Sequence, residues 1–75
     1  MQEVIAKAIE SIDGVDSFHD LRVAPGKNHT KIIFDLVLEP GCRTDRDRIL
    51  EIVSDAVKQE NNTYEIAVNF DNLYI

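Results

Sequence analysis

The feature that most constrains the fold is the stretch from Thr30 to Glu39, in which every second side chain is large and apolar. A period of two residues is that of a β-strand with one buried face. The apolar face consists of Ile32, Phe34, Leu36 and Leu38. Such a strand needs apolar elements to cover that face, so the stretch predicts a layered domain built around it.

The rest of the chain supplies two helices and two further strands. Apolar residues at spacings of three and four predict an amphipathic helix over residues 2–12 and a second helix that ends at about Gln59. Further strands are predicted from about Val15 to Val23 and from Tyr64 to Asp71. The helical residues expected to be buried are Ile5, Ala8, Ile9, Ile12, Ile49, Leu50, Val53, Ala56 and Val57.

Turn and capping residues mark the boundaries of these elements. Gly14 follows the first helix, where a glycine readily adopts the left-handed conformation. Pro40 and Gly41 end the second strand. Thr44 followed by Asp47 approximates a capping box and predicts the start of the second helix.

The element order α-β-β-α-β predicts an α+β fold with a single domain over residues 1–75. The first two strands can pair as an antiparallel hairpin, and the second helix can cross over to a parallel third strand. Both helices then cover one face of a three-stranded mixed sheet. This two-layer sandwich is ferredoxin-like but lacks the first strand of that motif.

Charge and size restrict the classes of function. The net charge is −6, from 14 acidic and 8 basic residues, which argues against binding to nucleic acid or to an anionic membrane surface. No apolar run is long enough to span a membrane, so we expect no direct membrane insertion. Cys42 is the single cysteine and cannot form an internal disulfide. Because so small a domain buries little surface, we expect a metal ion or a partner subunit to stabilise it.

An enzyme is not expected from the nucleophiles and glycines in the chain. Cys42 is far in sequence from His19 and His29, so no base is indicated for it, and we interpret it as an exposed structural cysteine. No serine lies in a nucleophile-elbow motif, and the three glycines do not form a phosphate-binding loop.

The sheet face away from the helices is predicted to be partly apolar. Ile33, Val37 and Ala67 point to this open face and alternate with Asp35, Asn69 and Asp71. We interpret it as an association surface, because a domain of this size needs additional burial.

The same face holds candidate metal ligands, Asp35, Asn69 and Asp71, to which His19 could add a nitrogen. Strict alternation, however, puts His19 on the helix-facing side with Leu21 and Val23, unless the strand starts irregularly. The alternative interpretation is a solvated acidic face and a core or capping histidine. His29, in the hairpin loop, is expected to be exposed to solvent.

Several runs of residues resemble a known family. They are Ile9-Glu10-Ser11-Ile12-Asp13-Gly14-Val15, His19-Asp20-Leu21-Arg22-Val23, Pro25-Gly26, Ile33-Phe34-Asp35-Leu36-Val37 and Val68-Asn69-Phe70-Asp71. In this order they look like the C-terminal domain of cation diffusion facilitator transporters, over almost the whole chain.

The resemblance implies a metallochaperone-like fold on the cytoplasmic side of the cell membrane, below the transmembrane domain of the same full-length transporter. It implies a V-shaped homodimer that closes when divalent metal binds at its interface. The implied ligand positions are His19, Asp35, Asn69 and Asp71. Zinc-binding members carry histidines where this chain has Asp35 and Asn69, and a further histidine near Asp47 or Arg48. This oxygen-rich set would favour manganese or iron more than a histidine-rich zinc site does, or the metal site would be lost.

Two functions therefore follow from the sequence. The first is a regulatory, dimer-forming cytoplasmic domain of a zinc-type divalent-cation efflux transporter. The second is a free-standing ferredoxin-like interaction or small-ligand-sensing domain that needs no metal.

Overall fold

The computed structural model describes residues 1–72. Two helices and three strands follow one another in the expected order: α1 (Gln2–Glu10), β1 (Val15–Pro25), β2 (Thr30–Leu38), α2 (Arg46–Glu60) and β3 (Tyr64–Asn72). The sheet order is β1-β2-β3, with β1 antiparallel and β3 parallel to the central strand β2. The predicted fold class is confirmed.

The core lies between the apolar face of β2 and the two helices. Phe34 and Leu36 on β2 are fully buried, as are Ile5 of α1 and Val53 of α2. Among residues 1–72, the buried apolar residues are Ile5, Ile9, Ile12, Ile32, Phe34, Leu36, Leu38, Ile49, Val53 and Val57. The ring of Phe18 on β1 packs edge-on against Phe34, with 6.4 Å between centroids, a favourable aromatic arrangement.

The end of α1 differs from the sequence prediction, whereas α2 ends within one residue of the predicted Gln59. α1 ends at Glu10 rather than near residue 12, and the chain tightens there: Ser11 N–H donates to Ala8 O and Ile12 N–H donates to Ile9 O. Bonds of this spacing satisfy terminal carbonyls, and here they turn Ile12 into the core. In α2, Leu50 and Ala56 are half-buried rather than buried.

The predicted capping box is wrong. α2 begins at Arg46 with Asp45 as its N-cap, and no side chain of the described residues caps that end. The Thr44 hydroxyl instead donates to Asp13 O at 2.8 Å. This bond ties the start of α2 to the turn after α1, where Glu39 N–H also donates to Gly14 O at 2.8 Å.

Gly14 has the predicted left-handed conformation, with φ +93°. It is also a point of close contact, because a Cβ on Gly14 would lie 2.5 Å from the sulfur of Cys42. Cys42 is half-buried and packs against the core, so the expectation of an exposed cysteine is wrong. Backbone angle and space together require glycine here.

Substitution of Gly14 by Ala should therefore destabilise the domain in two ways. Left-handed backbone costs about 1–2 kcal/mol for a residue with a Cβ. The contact with Cys42 should add about 1–3 kcal/mol of overpacking. The free energy of unfolding, measured by urea denaturation at one fixed protein concentration, should fall by the sum of the two.

Gly41 provides the matched control. It has φ +77°, but a Cβ there would meet no described atom within 4 Å, so Gly41→Ala should show the backbone cost alone. In a Cys42→Ala background the sulfur is gone, but Cβ and Cα of residue 42 would still lie 3.0 and 3.1 Å from the new Cβ, so Gly14→Ala should cost less than in the wild type and still more than Gly41→Ala. An equal cost of Gly14→Ala with and without the Cys42 sulfur would contradict the steric part of this account.

Candidate functional site

The open face of the sheet aligns three of the predicted ligands in one row. His19 of β1 lies opposite Asp35 of β2, and Asp35 lies beside Asn69 of β3. Neighbouring strands are about 4.8 Å apart, so the row spans roughly 10 Å across the sheet. His19 and Asn69 are exposed and Asp35 is half-buried.

His19 reaches the open face because β1 starts irregularly. Val15 pairs with Leu38 and Ser17 pairs with Val37, so Asp16 is an extra residue, a β-bulge. The bulge shifts the alternation by one position. Phe18 therefore points toward the helices, and the expectation from strict alternation that His19 points there is wrong.

A second irregularity follows at once. The next residue pairs are His19–Asp35 and Arg22–Ile33. Between them β1 has two residues, Asp20 and Leu21, whereas β2 has a single residue. Asp20 takes the left-handed conformation with φ 57°, which Asp tolerates better than most residues. The second bulge lets Leu21 pack against the core while charged Arg22 stays on the open side.

Two sets of polar contacts hold the row in place. Asn69 Nδ2 donates to Asp35 Oδ1 at 3.2 Å, which leaves Asp35 Oδ2 available. On the other side, His19 Nε2 lies 3.2 Å from Ser17 Oγ, and the Ser17 hydroxyl donates to Asp16 Oδ2 at 2.9 Å. The sequence pattern did not predict that Ser17 contacts His19 and Asp16 in this way.

Asp71 lies in the neighbouring row. It pairs with Val37, two residues beyond Asn69 on the same strand, and is exposed. The diagonal between such positions is about 7–8 Å, so Asp71 and Asp35 can share a ligand only through side chains that lean toward each other. Three of the four predicted ligands thus lie in one row, and the fourth lies one row away.

His29 lies apart from this row. Its side chain is 61% exposed, as expected for the hairpin loop, and its Nδ1 is 3.6 Å from Glu65 Oε1. That contact is an ion pair only when the imidazole is protonated.

The row fits a divalent cation only in part. Imidazole and carboxylate groups are suitable ligands, but among residues 1–72 no three His, Cys, Asp or Glu side chains lie close enough to hold a metal ion together. Zinc usually takes four ligands and manganese more. The remaining ligands of an ion bound at this row would therefore come from Asn69, from water or from another chain.

The spacing of the apolar residues in β1 could have predicted the two bulges. Val15, Phe18 and Leu21 all belong to the core side, yet each is three residues from the next instead of two. Each interval of three contains one residue more than a regular strand allows, which is the definition of a bulge.

Comparisons with known proteins agree with this architecture. A protein-family model described as "Cation efflux protein, cytoplasmic domain" matches residues 1–72. Among solved structures, the chain is similar to a MamM C-terminal domain in which one aspartate and one histidine are replaced by alanine. The TM-score is 0.63 at 22% identity, over 99% of this chain and 92% of that chain, and it supports the fold alone. No curated protein sequence matches the chain.

No helix among the described residues is both long and apolar enough to cross a membrane.

The left-handed residue in the second bulge can be tested by substitution. Asp20→Val should lower the free energy of unfolding by about 1–3 kcal/mol, because a β-branched residue is strained in that conformation. Asp20→Gly should change it by less than about 1 kcal/mol. Urea denaturation measures both.

Ala24→Val is the control for the first substitution, because Ala24 is exposed on the same strand and lacks the positive φ. It should change stability by no more than about 0.5 kcal/mol. Equal effects of valine at residues 20 and 24 would argue against the second bulge.

Proposed function

Because this chain belongs to the family of cation efflux protein cytoplasmic domains, we propose that it regulates a divalent-cation efflux transporter through metal-dependent pairing of two copies. The observation that carries the proposal is the row of His19, Asp35 and Asn69 on the uncovered face of the sheet. Pairing as a homodimer also accords with the family, whose members act as dimerisation domains.

The surroundings of the row suit an interface between two copies. Ile33 and Ala67 form the row below it, Val37 lies in the row above, and all three are half-buried. Interfaces of this kind combine a small apolar centre with polar groups around it. Pairing would also supply the burial that so small a chain lacks by itself.

The incomplete ligand set links metal binding to pairing. One chain offers the imidazole of His19 and the carboxylate of Asp35, with Asp71 and Asn69 nearby. A second copy that brings the same groups would complete the coordination of one ion. Each chain holds its ligands in place but has too few of them to complete the coordination of an ion alone. Bound metal would supply positive charge between the ligands of the two chains.

Charge provides the differential affinity that such a switch requires. Asp35 and Asp71 carry like charges that would repel when two such faces approach without metal. A divalent ion between the two faces would turn this electrostatic repulsion into an attraction. Metal that binds the pair better than the single chain shifts the population toward the pair.

The chemistry of the donors restricts the ion. We propose zinc as the ion because an imidazole is among the ligands, with manganese or iron as alternatives because the other ligands are oxygen atoms. The transmembrane domain of the same transporter would be the element that responds to pairing, on the cytoplasmic side of the membrane.

A second candidate function is pairing without metal, as a dimerisation or small-ligand-sensing module. The observation that favours it is the absence of a three-ligand group among residues 1–72. In that case the half-apolar face alone would hold the two copies together.

Addition of zinc should stabilise the domain and strengthen its pairing. At 100 times the dissociation constant, a ligand specific for the folded state adds about 2.7 kcal/mol. For a domain of this size the Tm should rise by roughly 10 °C or more. Differential scanning calorimetry measures the Tm, and sedimentation velocity at several protein concentrations measures pairing.

Substitutions separate the two candidate functions. Asp35→Ala and Asp71→Ala should reduce the zinc-induced rise in Tm and should strengthen pairing without metal, because like charge is removed. Asp55→Ala, which removes an exposed carboxylate from α2, is the matched control and should do neither. If neither zinc nor manganese changes the Tm or the pairing, the metal-dependent function is wrong and the metal-free one remains.

A further inference from the structure

The bulge at Asp16 creates a chain of hydrogen bonds that ends on His19. In a regular strand, adjacent side chains point to opposite faces. Here the neighbours Asp16 and Ser17 are hydrogen-bonded, with 2.9 Å between Oγ and Oδ2, and Ser17 Oγ is 3.2 Å from His19 Nε2. The three polar groups form one continuous series along the open edge of β1.

The direction of these bonds follows from their chemistry. A serine hydroxyl has one hydrogen to donate, while an ionised carboxylate only accepts. Asp16 is the stronger acceptor and the closer one, so the hydrogen of Ser17 goes to Asp16. The Ser17 oxygen then has lone pairs left, and it can accept a hydrogen bond from His19 only if Nε2 carries the proton.

We propose that Asp16 and Ser17 are positioning residues that fix His19 as the Nε2–H tautomer and so present Nδ1 as its metal-binding nitrogen. In a neutral imidazole, one nitrogen carries hydrogen and the other has the free lone pair that a metal needs. Metal-binding histidines generally use the second nitrogen as a donor to a fixed partner, and Ser17 has that role here. The tautomer part of this proposal, that His19 carries its proton on Nε2, depends on the hydrogen bonds alone. The ligand part, that Nδ1 binds metal, rests on the proposed function.

Two substitutions should move the tautomer in different ways. Asp16→Ala leaves the Ser17 hydroxyl free to donate to Nε2, so it should raise the Nδ1–H fraction of His19 several-fold. Ser17→Ala removes the partner, so it should leave only the intrinsic preference of an imidazole in water. Asp16→Asn retains an acceptor oxygen and should keep the wild-type tautomer.

Long-range ¹H–¹⁵N correlation spectra of the metal-free protein, in solution alkaline enough for imidazoles to be neutral, report both ring nitrogens directly. His29 provides an internal reference in the same spectrum, and Ser11→Ala, which removes a serine hydroxyl bonded to Ala8 O, is the matched control. The tautomer pattern of His29 should be the same in every variant. Ser11→Ala should leave the tautomer pattern of His19 as it is in the wild type. An Nδ1–H majority in the wild type, or the same tautomer fraction in the wild type and Asp16→Ala, overturns the proposal.

A zinc titration of the same sample tests the ligand part. The result expected is that the Nδ1 resonance of His19 shifts while Nε2 stays protonated. A shift at Nε2 instead overturns the assignment of Nδ1. If neither nitrogen of His19 responds, the proposed metal-dependent function fails for this residue, and the ligand part fails with it, while the tautomer result is decided by the metal-free spectra.

Discussion

The pairing of β1 with β2 is the constraint on which the rest of the structure depends. β1 has to cover the core with Val15, Phe18 and Leu21, whose spacing of three does not match the period of a strand. The strand accommodates this spacing with two bulges of one extra residue each. After each bulge, the side chains that follow point to the opposite faces of the sheet. Between the two bulges His19 is turned outward, beside Asp35. The same backbone irregularity therefore completes the core and creates the polar row on the open face.

Under the proposed function, an incomplete site would let a small domain act as a switch. The sheet fixes where His19 and Asp35 lie, and hydrogen bonds from Asn69 and toward Ser17 restrict how their side chains turn. Fixed donors cost little to order when metal arrives, but within residues 1–72 they are too few to hold it. Affinity for metal would then depend on what a second chain contributes. This dependence is the linkage by which metal would control pairing.

Hydrophobic periodicity was sufficient to predict the fold, but it did not predict the orientation of His19 or the contacts between residues distant in sequence. Alternation in β2 and the apolar stripes of both helices determined the layers, because those patterns reflect burial directly. The facing of His19 was mispredicted, because strict alternation was applied to a strand whose apolar spacing already departed from it. Thr44 was assigned to a cap, yet its hydroxyl bonds Asp13, a contact between residues distant in sequence. Cys42 was expected to be exposed for the same reason, since its packing on Gly14 depends on the folded chain.

The central claim is that groups from all three strands act as one metal site on the open face. Paramagnetic line broadening by substoichiometric Mn²⁺, followed in ¹H–¹⁵N spectra, tests it most directly. The account predicts that amide signals of His19, Asp35 and Asn69 broaden together, at a lower manganese concentration than those around His29 and Glu65. Broadening spread evenly over the exposed carboxylates, or centred on His29, would contradict it.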